Sequence, residues 1–182
     1  MAFTVEDGTG LSGANSYASV VEADSYVTDY IRNSSTWTSL SSANKQKYLV
    51  EASQSVDLIF HSRWLGYRLD QNQGLAWPRV AGYDKDGYSV ASDEVPANVK
   101  RATAEMAWRH LNDTGPSTTT GDSTGIIPDI SSPGTIAETD VAAGSVRSKT
   151  RYLSGKSQIK MFRKVEMILH QLIKPRGAIV RS

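Results

Sequence analysis

The chain has no cysteine among its 182 residues, which removes disulfides and thiolate metal sites together. It has only three histidines, His61, His110 and His170, so a zinc site would be short of nitrogen ligands. No apolar run approaches the roughly 18 residues that cross a bilayer, and no membrane association is expected. The start, MAFTVEDGTG, is acidic and lacks the basic-then-apolar layout of a secretory signal, which predicts synthesis in a cytoplasm. No G-x-x-x-x-G-K-[ST] phosphate loop occurs. The histidines are scattered over expected helices, His110 without an acid four residues away, and Asp93-Glu94 sits at an expected helix start, where charge complements the dipole. No catalytic constellation is read, so the chain is expected not to be an enzyme and to need no cofactor.

What is present is a separation of charge. The net charge is +1, yet residues 1–146 hold 10 Lys/Arg against 18 Asp/Glu, while residues 147–182 hold 10 against the single acid Glu166. A body near −8 and an end near +9 point to an interaction made by the C-terminal region, with an acidic protein surface or with nucleic acid. At 39% apolar residues the chain can bury one core, and one domain, or a compact domain with a long extension, is expected.

The fold class expected is mainly α: a small bundle of about four helices with an inserted β-hairpin, extended arms and a basic C-terminal tail. Met1 to Ala14 is Gly-rich and predicts an extended arm that orders late, followed by a short strand at Asn15–Ala18. Ser19-Val20-Val21-Glu22 has the capping-box form, in which Ser takes the N3 amide and Glu reaches back, and opens a helix from about Val20 to Arg32. Asn33 to Trp37 is a polar break. Ser41 or Ser42 caps a helix to about His61, with Tyr48, Leu49, Ala52, Val56, Ile59 and Phe60 recurring every three or four residues. Pro96 opens a third helix, to about Leu111, that packs through Val99, Ala102, Met106 and Trp108. Residues 112–135 read as a flexible loop. In the last division, 136–182, Ile136–Leu153 predicts two strands turning near Ala143-Gly144, Ser157–Ile173 a fourth helix, and Pro175–Ser182 an extended basic tail.

Residues 75–90, LAWPRVAGYDKDGYSV, interrupt the helices. Pro78 biases Trp77 to an extended conformation, and Asp86-Gly87 favours the positive φ of a tight turn, predicting a hairpin at about 80–90. A calcium loop is the rival reading of Asp84-Lys85-Asp86-Gly87. Its far-end ligand would be Asp93 and not the usual bidentate Glu, so a structural turn is favoured. Trp64, Tyr67, Trp77, Tyr83 and Tyr88 lie beside Arg63, Arg68 and Arg79. That mixture can stack single-stranded bases, or it can build a core and a subunit interface; the second is favoured.

Asp7-Gly8-Thr9-Gly10, Ala14-Asn15-Ser16-Tyr17, Trp64, Gly66, Leu75-Ala76-Trp77-Pro78-Arg79, Asp84, Gly87, Val95-Pro96, Val99-Lys100 and Ala102, in that order, carry a resemblance. Over about residues 3–110 the chain resembles a family of tailed-phage proteins often labelled DnaT-like single-stranded DNA-binding proteins. It is similar in architecture to head–tail connector adaptors. The label implies binding to single strands, as an accessory protein of phage replication. The adaptor likeness implies a structural virion protein at the head–tail interface, assembled in the host cytoplasm as a homo-oligomer, a dodecameric ring under the portal protein. Its other partner would be a tail-side connector or tail completion protein, and genomic DNA would pass through the channel without sequence recognition. The likeness implies portal binding by the terminal segment Lys174, Pro175, Arg176, Ile179, Val180 and Arg181. It implies a subunit or tail-side interface at Trp77, Arg79, Tyr83, Asp84, Asp86 and Tyr88.

Overall fold

The computed structural model describes residues 2–112, 136–142, 147–152 and 163–174. The chain forms two compact units, Met1–Asp113 with Phe162–Ser182, and Thr114–Met161. The first is mainly helical, as the periodicities predict. It holds α1 (Val20–Tyr30), α2 (Ser35–Thr38), α3 (Ser42–Phe60), β1 (Tyr67–Arg68), β2 (Arg79–Val80), α4 (Ala97–Asn112) and α5 (Arg163–Leu169). The second contains β3 (Ile136–Ala142) and β4 (Arg147–Tyr152), an antiparallel pair with Ala142 opposite Arg147. The expected strand pair is therefore present, and its turn lies outside the described residues; of the loop expected at 112–135, Asn112 instead ends α4 and the rest lies outside the described residues. In the register Glu138 is opposite Arg151 and Asp140 is opposite Lys149.

The capping box forms as read. Glu22 N–H donates to Ser19 Oγ at 3.2 Å, and Ser19 N–H donates to Glu22 Oε2 at 2.7 Å. Residues Ala23, Tyr26 and Val27 bury one face of α1. The helix stops at Tyr30, short of Arg32, because Ile31 turns extended and is itself buried. Ser41 caps α3, whose Leu49, Ala52, Val56 and Phe60 form the buried stripe. Pro96 precedes α4, and its carbonyl takes the N–H of Val99 at 2.8 Å. Val99, Ala102, Ala104, Met106 and Ala107 are buried on α4, and these mostly small side chains let α1, α3 and α5 all pack against it. Trp108 is only half-buried.

Three expectations fail. The expected polar break contains α2, a single helical turn. Its Trp37 is fully buried, donates from Nε1 to Asp24 at 2.7 Å, and carries the Lys45 ammonium 5.9 Å above its ring. One apolar residue in a run of Ser, Thr and Asn has no period to detect. The division also falls elsewhere: α5 belongs to the helical core and not with β3 and β4, because Val165, Leu169, Leu172 and Ile173 are buried in the first unit. Residues 157–162 of the helix expected there lie outside the described residues.

The N-terminal segment, expected as an arm that orders late, is tied down. Glu6 is 1% exposed, and its carboxylate accepts the N–H groups of Gly8, Gly10 and Leu11 at 3.0, 2.9 and 2.9 Å. Asn15 accepts from Thr4 N–H at 2.9 Å and donates to the Ala2 carbonyl at 2.7 Å. Gly8 has φ +107°, and a Cβ there would lie 2.1 Å from the Asp93 carbonyl oxygen. Both the angle and the contact demand glycine. Gly8→Ala is expected to cost at least about 2 kcal/mol in urea unfolding, whereas Gly13→Ala, with open space around its Cβ, stays within about 0.5 kcal/mol.

Candidate interaction surface

The segment expected to carry the interface is fastened from below by a chain of buried hydrogen bonds. Tyr17 donates its hydroxyl to Asp57 Oδ1 at 2.5 Å and accepts the Trp77 N–H at 3.1 Å. Asp57 Oδ2 accepts the Ala76 N–H at 2.9 Å. The Trp77–Pro78 peptide bond is cis. Trp77 is fully buried and meets Trp64 edge-on, ring centroids 5.7 Å apart, and Trp64 in turn lies 5.9 Å from Phe60. Both tryptophans are therefore core, and Trp77 is removed from the expected interface set.

Arg79 is likewise spent internally. Its Nε donates to the Leu65 carbonyl at 2.7 Å, while its two terminal nitrogens donate to the Gly66 carbonyl at 2.6 Å and the Ala76 carbonyl at 3.2 Å. It too leaves the interface set. The guanidinium locks β1 to β2, where Tyr67 opposes Val80 and Arg68 opposes Arg79. Arg68 donates to the Gln73 carbonyl.

Beyond β2 the expected hairpin is narrower than read. Val80 pairs back with Tyr67, and the turn-side arm is closed by a Tyr83–Ser89 bridge and the Val90 N–H to Gly82 carbonyl bond at 2.9 Å. Asp84 Oδ1 accepts the N–H groups of Asp86 at 2.9 Å and Tyr88 at 2.8 Å, and Gly87 takes φ +86°. Backbone donors thus occupy one oxygen of the Asp84 carboxylate and close the tight turn expected at Asp86-Gly87. Among the described residues no group of three or more His, Asp or Glu could hold a metal ion.

This framework presents Tyr67, Tyr83 and Tyr88 to solvent at 73%, 64% and 72% exposure, beside exposed Asp70 and Asp86 and half-buried Asp84. Of the expected interface residues, Tyr83, Asp84, Asp86 and Tyr88 all lie on this hairpin, with Tyr83 across from Ser89 and Tyr88 across from Asp84, on alternate faces. Tyr67, left out of the expected interface set, is exposed on β1 opposite Val80. Asp86 also accepts from Gln171 at 3.2 Å, which ties the turn to the segment after α5. Lys174 is held by its backbone, N–H to the Arg63 carbonyl at 2.6 Å and carbonyl from Arg63 Nε at 3.0 Å. Pro175, Arg176, Ile179, Val180 and Arg181 lie outside the described residues.

Five cations of the described core have anionic partners. Arg63 pairs with Glu166 at 2.7 Å, Lys100 with Glu22 at 2.8 Å, and Lys45 with Asp24 at 2.9 Å. Arg109 and Lys164 converge on fully buried Glu105 at 2.8 and 2.7 Å, where Tyr26 also donates, at 3.1 Å. His110, expected without an acid partner, has its Nδ1 3.1 Å from Glu51 on α3.

Two glycine spacings also bear on chemistry. Gly8-Thr9-Gly10-Leu11-Ser12-Gly13 fits G-x-G-x-x-G, but Glu6 already fills the concavity its N–H groups form, leaving no room for a phosphate. Gly121-Asp122-Ser123-Thr124-Gly125 fits G-x-S-x-G and lies outside the described residues.

Burial pushes the Asp57 carboxyl up to about 6, although Tyr17, the Ala76 N–H, Arg68 and Arg79 favour its anion. Burial and the adjacent Asp57 charge raise the Tyr17 hydroxyl well above its ordinary value. An acid whose folded value exceeds its unfolded value holds its proton more tightly in the native state, so its contribution is greatest at low pH and declines as pH rises from about 4 to above 6. The stability of the wild type relative to Asp57→Asn is expected to fall by up to about 3 kcal/mol between pH 4 and pH 7 in urea melts. A constant difference across that window would show that Asp57 titrates as an exposed carboxyl does.

The family model described as "Putative DnaT-like ssDNA binding protein" matches residues 1–182, and the chain belongs to that family. No curated protein and no solved structure matches the chain.

Proposed function

We propose that the chain is a structural head–tail adaptor of a tailed phage, a subunit of a ring that sits under the portal and extends the DNA channel. The observation that carries this reading is the exposure of Tyr67, Tyr83 and Tyr88 on a backbone pinned by Asp84, Arg79 and the Tyr17–Asp57 pair. Tyrosine gives large contact area for little conformational entropy, and protein interfaces are enriched in it. The surrounding carboxylates, Asp70, Asp84 and Asp86, suit a basic protein partner and repel phosphate.

The second reading, binding of single-stranded DNA, is favoured by the family description. It needs aromatic faces interleaved with available cations. Here Trp64 and Trp77 are core, while Arg63, Arg68 and Arg79 hold internal partners. Residues of the basic end would then have to supply the phosphate contacts.

Two measurements separate the readings. Tyr83→Ala combined with Tyr88→Ala is expected to lower assembly onto purified portal at least tenfold while leaving far-ultraviolet circular dichroism unchanged. Titration of single-stranded and duplex DNA with the wild type should show weak binding, equal for both forms and lost as salt rises. Submicromolar binding at physiological salt with clear preference for single strands would overturn the adaptor reading.

A further inference from the structure

The separation of charge along the sequence becomes a separation in space along α4. α1 and α4 run in the same direction, because Lys100 pairs with Glu22 at 2.8 Å and, roughly a turn further along both helices, Glu105 takes the Tyr26 hydroxyl at 3.1 Å. The start of α4 lies at a corner of carboxylates. Gly8 packs on the backbone of Asp93 and Glu94, and a Cβ on Gly10 would lie 3.7 Å from that of Asp70. Asp7, Asp70, Asp93 and Glu94, all exposed, are thereby gathered around one loop, with Arg68, bonded to the Gln73 carbonyl, as the cation beside them.

Further along, the helices carry cations. Tyr26 and Tyr30 stack on α1 with ring centroids 5.2 Å apart. The Lys164 ammonium of α5 stands 5.9 Å from the Tyr26 centroid, and the Arg101 guanidinium of α4 stands 5.8 Å from that of Tyr30. Tyr30 follows Tyr26, which is level with Glu105, so Arg101 leans along α4 away from Ala97. Arg101, Lys164 and the adjoining Arg163 are all exposed. Among the described residues of this face, Arg101, Arg109, Arg163 and Lys164 stand against Glu105 and exposed Asp29, while Glu166 on α5 pairs with Arg63. The aromatic rings hold two of these charges in place, which lowers the ordering cost of meeting an anion. A single copy cannot join its own two patches. From Ala97 to Glu105 the helix rises about 12 Å, and the acidic corner lies before Ala97. Both patches are fixed to the core, the corner through the Glu6 loop and the cations through Tyr26 and Tyr30. Opposite charges set apart on one rigid body match when copies stand head to tail.

We infer that the cationic face of α1, α4 and α5 in one copy docks on the corner of Asp7, Asp70, Asp93 and Glu94 in the next. Repeated in one direction, this contact is heterologous, and it closes into a ring if the rotation between copies permits. It rests on the assembly reading above and deepens it by naming one contact between subunits. The phosphates of a nucleic acid would suit the same cations, and the test separates the two.

Exchanging charge between the two patches of the full-length chain tests this contact. Arg101→Glu with Arg163→Glu reverses the face, Asp93→Lys with Glu94→Lys reverses the corner, and a fourfold variant carries all four changes. Assembly on purified portal is read by sedimentation velocity, with far-ultraviolet circular dichroism as the check on folding. The single changes Arg163→Glu and Glu94→Lys, at exposed positions, supply the same comparison for any double variant that unfolds. Each reversal alone is expected to lower assembly at least tenfold. Mixing the two reversed chains, or joining all four changes in one chain, sets opposite charges against each other again and is expected to restore most of the wild-type assembly. Undiminished assembly by either reversed chain overturns the inference, as does a loss that neither the mixture nor the fourfold variant repairs. A face-reversed chain that assembles normally and loses only its salt-dependent binding to duplex DNA overturns it too, and assigns the face to phosphate. Wild-type rings matched by rings of the reversed chains reject this contact alone, whereas wild type that forms no ring on portal rejects the adaptor reading.

Discussion

The architecture of the exposed face depends on one buried exchange of hydrogen bonds, in which Tyr17 and Asp57 satisfy the backbone N–H groups of Trp77 and Ala76. An interior backbone donor left without an acceptor costs about 1–3 kcal/mol, so two such groups would forbid Trp77 from entering the core unaided. Once they are met, Trp77 can pack edge-on against Trp64, and the chain emerges at Arg79 with a fixed direction. Arg79 then ties Leu65, Gly66 and Ala76 together through their carbonyls, and Gly66 approaches the Val80 carbonyl so closely that a Cβ would lie 2.4 Å from it. The three tyrosines at the surface inherit their positions from this sequence of contacts.

Three carboxylates, Glu6 and Glu105 buried and Asp57 half-buried, are stabilised in three ways, and the differences explain which parts of the molecule are rigid. Glu6 is neutralised by backbone dipoles alone, three N–H groups in one loop, which converts a glycine-rich stretch into a fixed corner against residues 93–94. Asp57 relies on one hydroxyl and one N–H, fewer donors than a buried anion needs, so burial raises its proton affinity. Glu105 gathers Arg109 from its own helix, Lys164 from α5 and the Tyr26 hydroxyl from α1. Removing any one of its cations would leave a poorly compensated charge at zero exposure, so this carboxylate fixes where α5 returns to the bundle.

The regular elements were legible because their signals are local. Ser19 and Glu22 announce the start of α1, the 49–52–56–60 spacing announces the buried stripe of α3, and the Ile136–Leu153 pattern announces β3 and β4. What stayed hidden is non-local. Trp37 is a lone apolar residue whose partners, Asp24 and Lys45, lie on α1 and α3. Asp57 looks like one more polar position flanking an apolar stripe until Tyr17, forty positions earlier, reaches it. The aromatic cluster at 64–88 reads as one group in sequence, yet the tryptophans go inward and the tyrosines outward. Trp64 and Trp77 give the core large apolar rings, whereas Tyr67, Tyr83 and Tyr88 are left exposed to water.

The residues that carry the family resemblance are mostly those that build this scaffold. Gly8 packs on residues 93–94, Asn15 clamps Thr4 and Ala2, Tyr17 anchors the Trp77 segment, Trp64 and Trp77 fill the core, and Arg79 and Asp84 organise carbonyls and amides. Tyr67, Tyr83 and Tyr88, the groups available to a partner, are outside that set. A scaffold can be shared while the surface mounted on it takes different partners, so family membership argues for architecture more strongly than for ligand. For this chain the ligand has to be argued from the surface itself, where exposed rings lie among carboxylates and the nearby guanidinium groups are turned to internal acceptors. Under the assembly reading proposed above, the carboxylates beside the exposed rings would favour a cationic polypeptide over a polyphosphate.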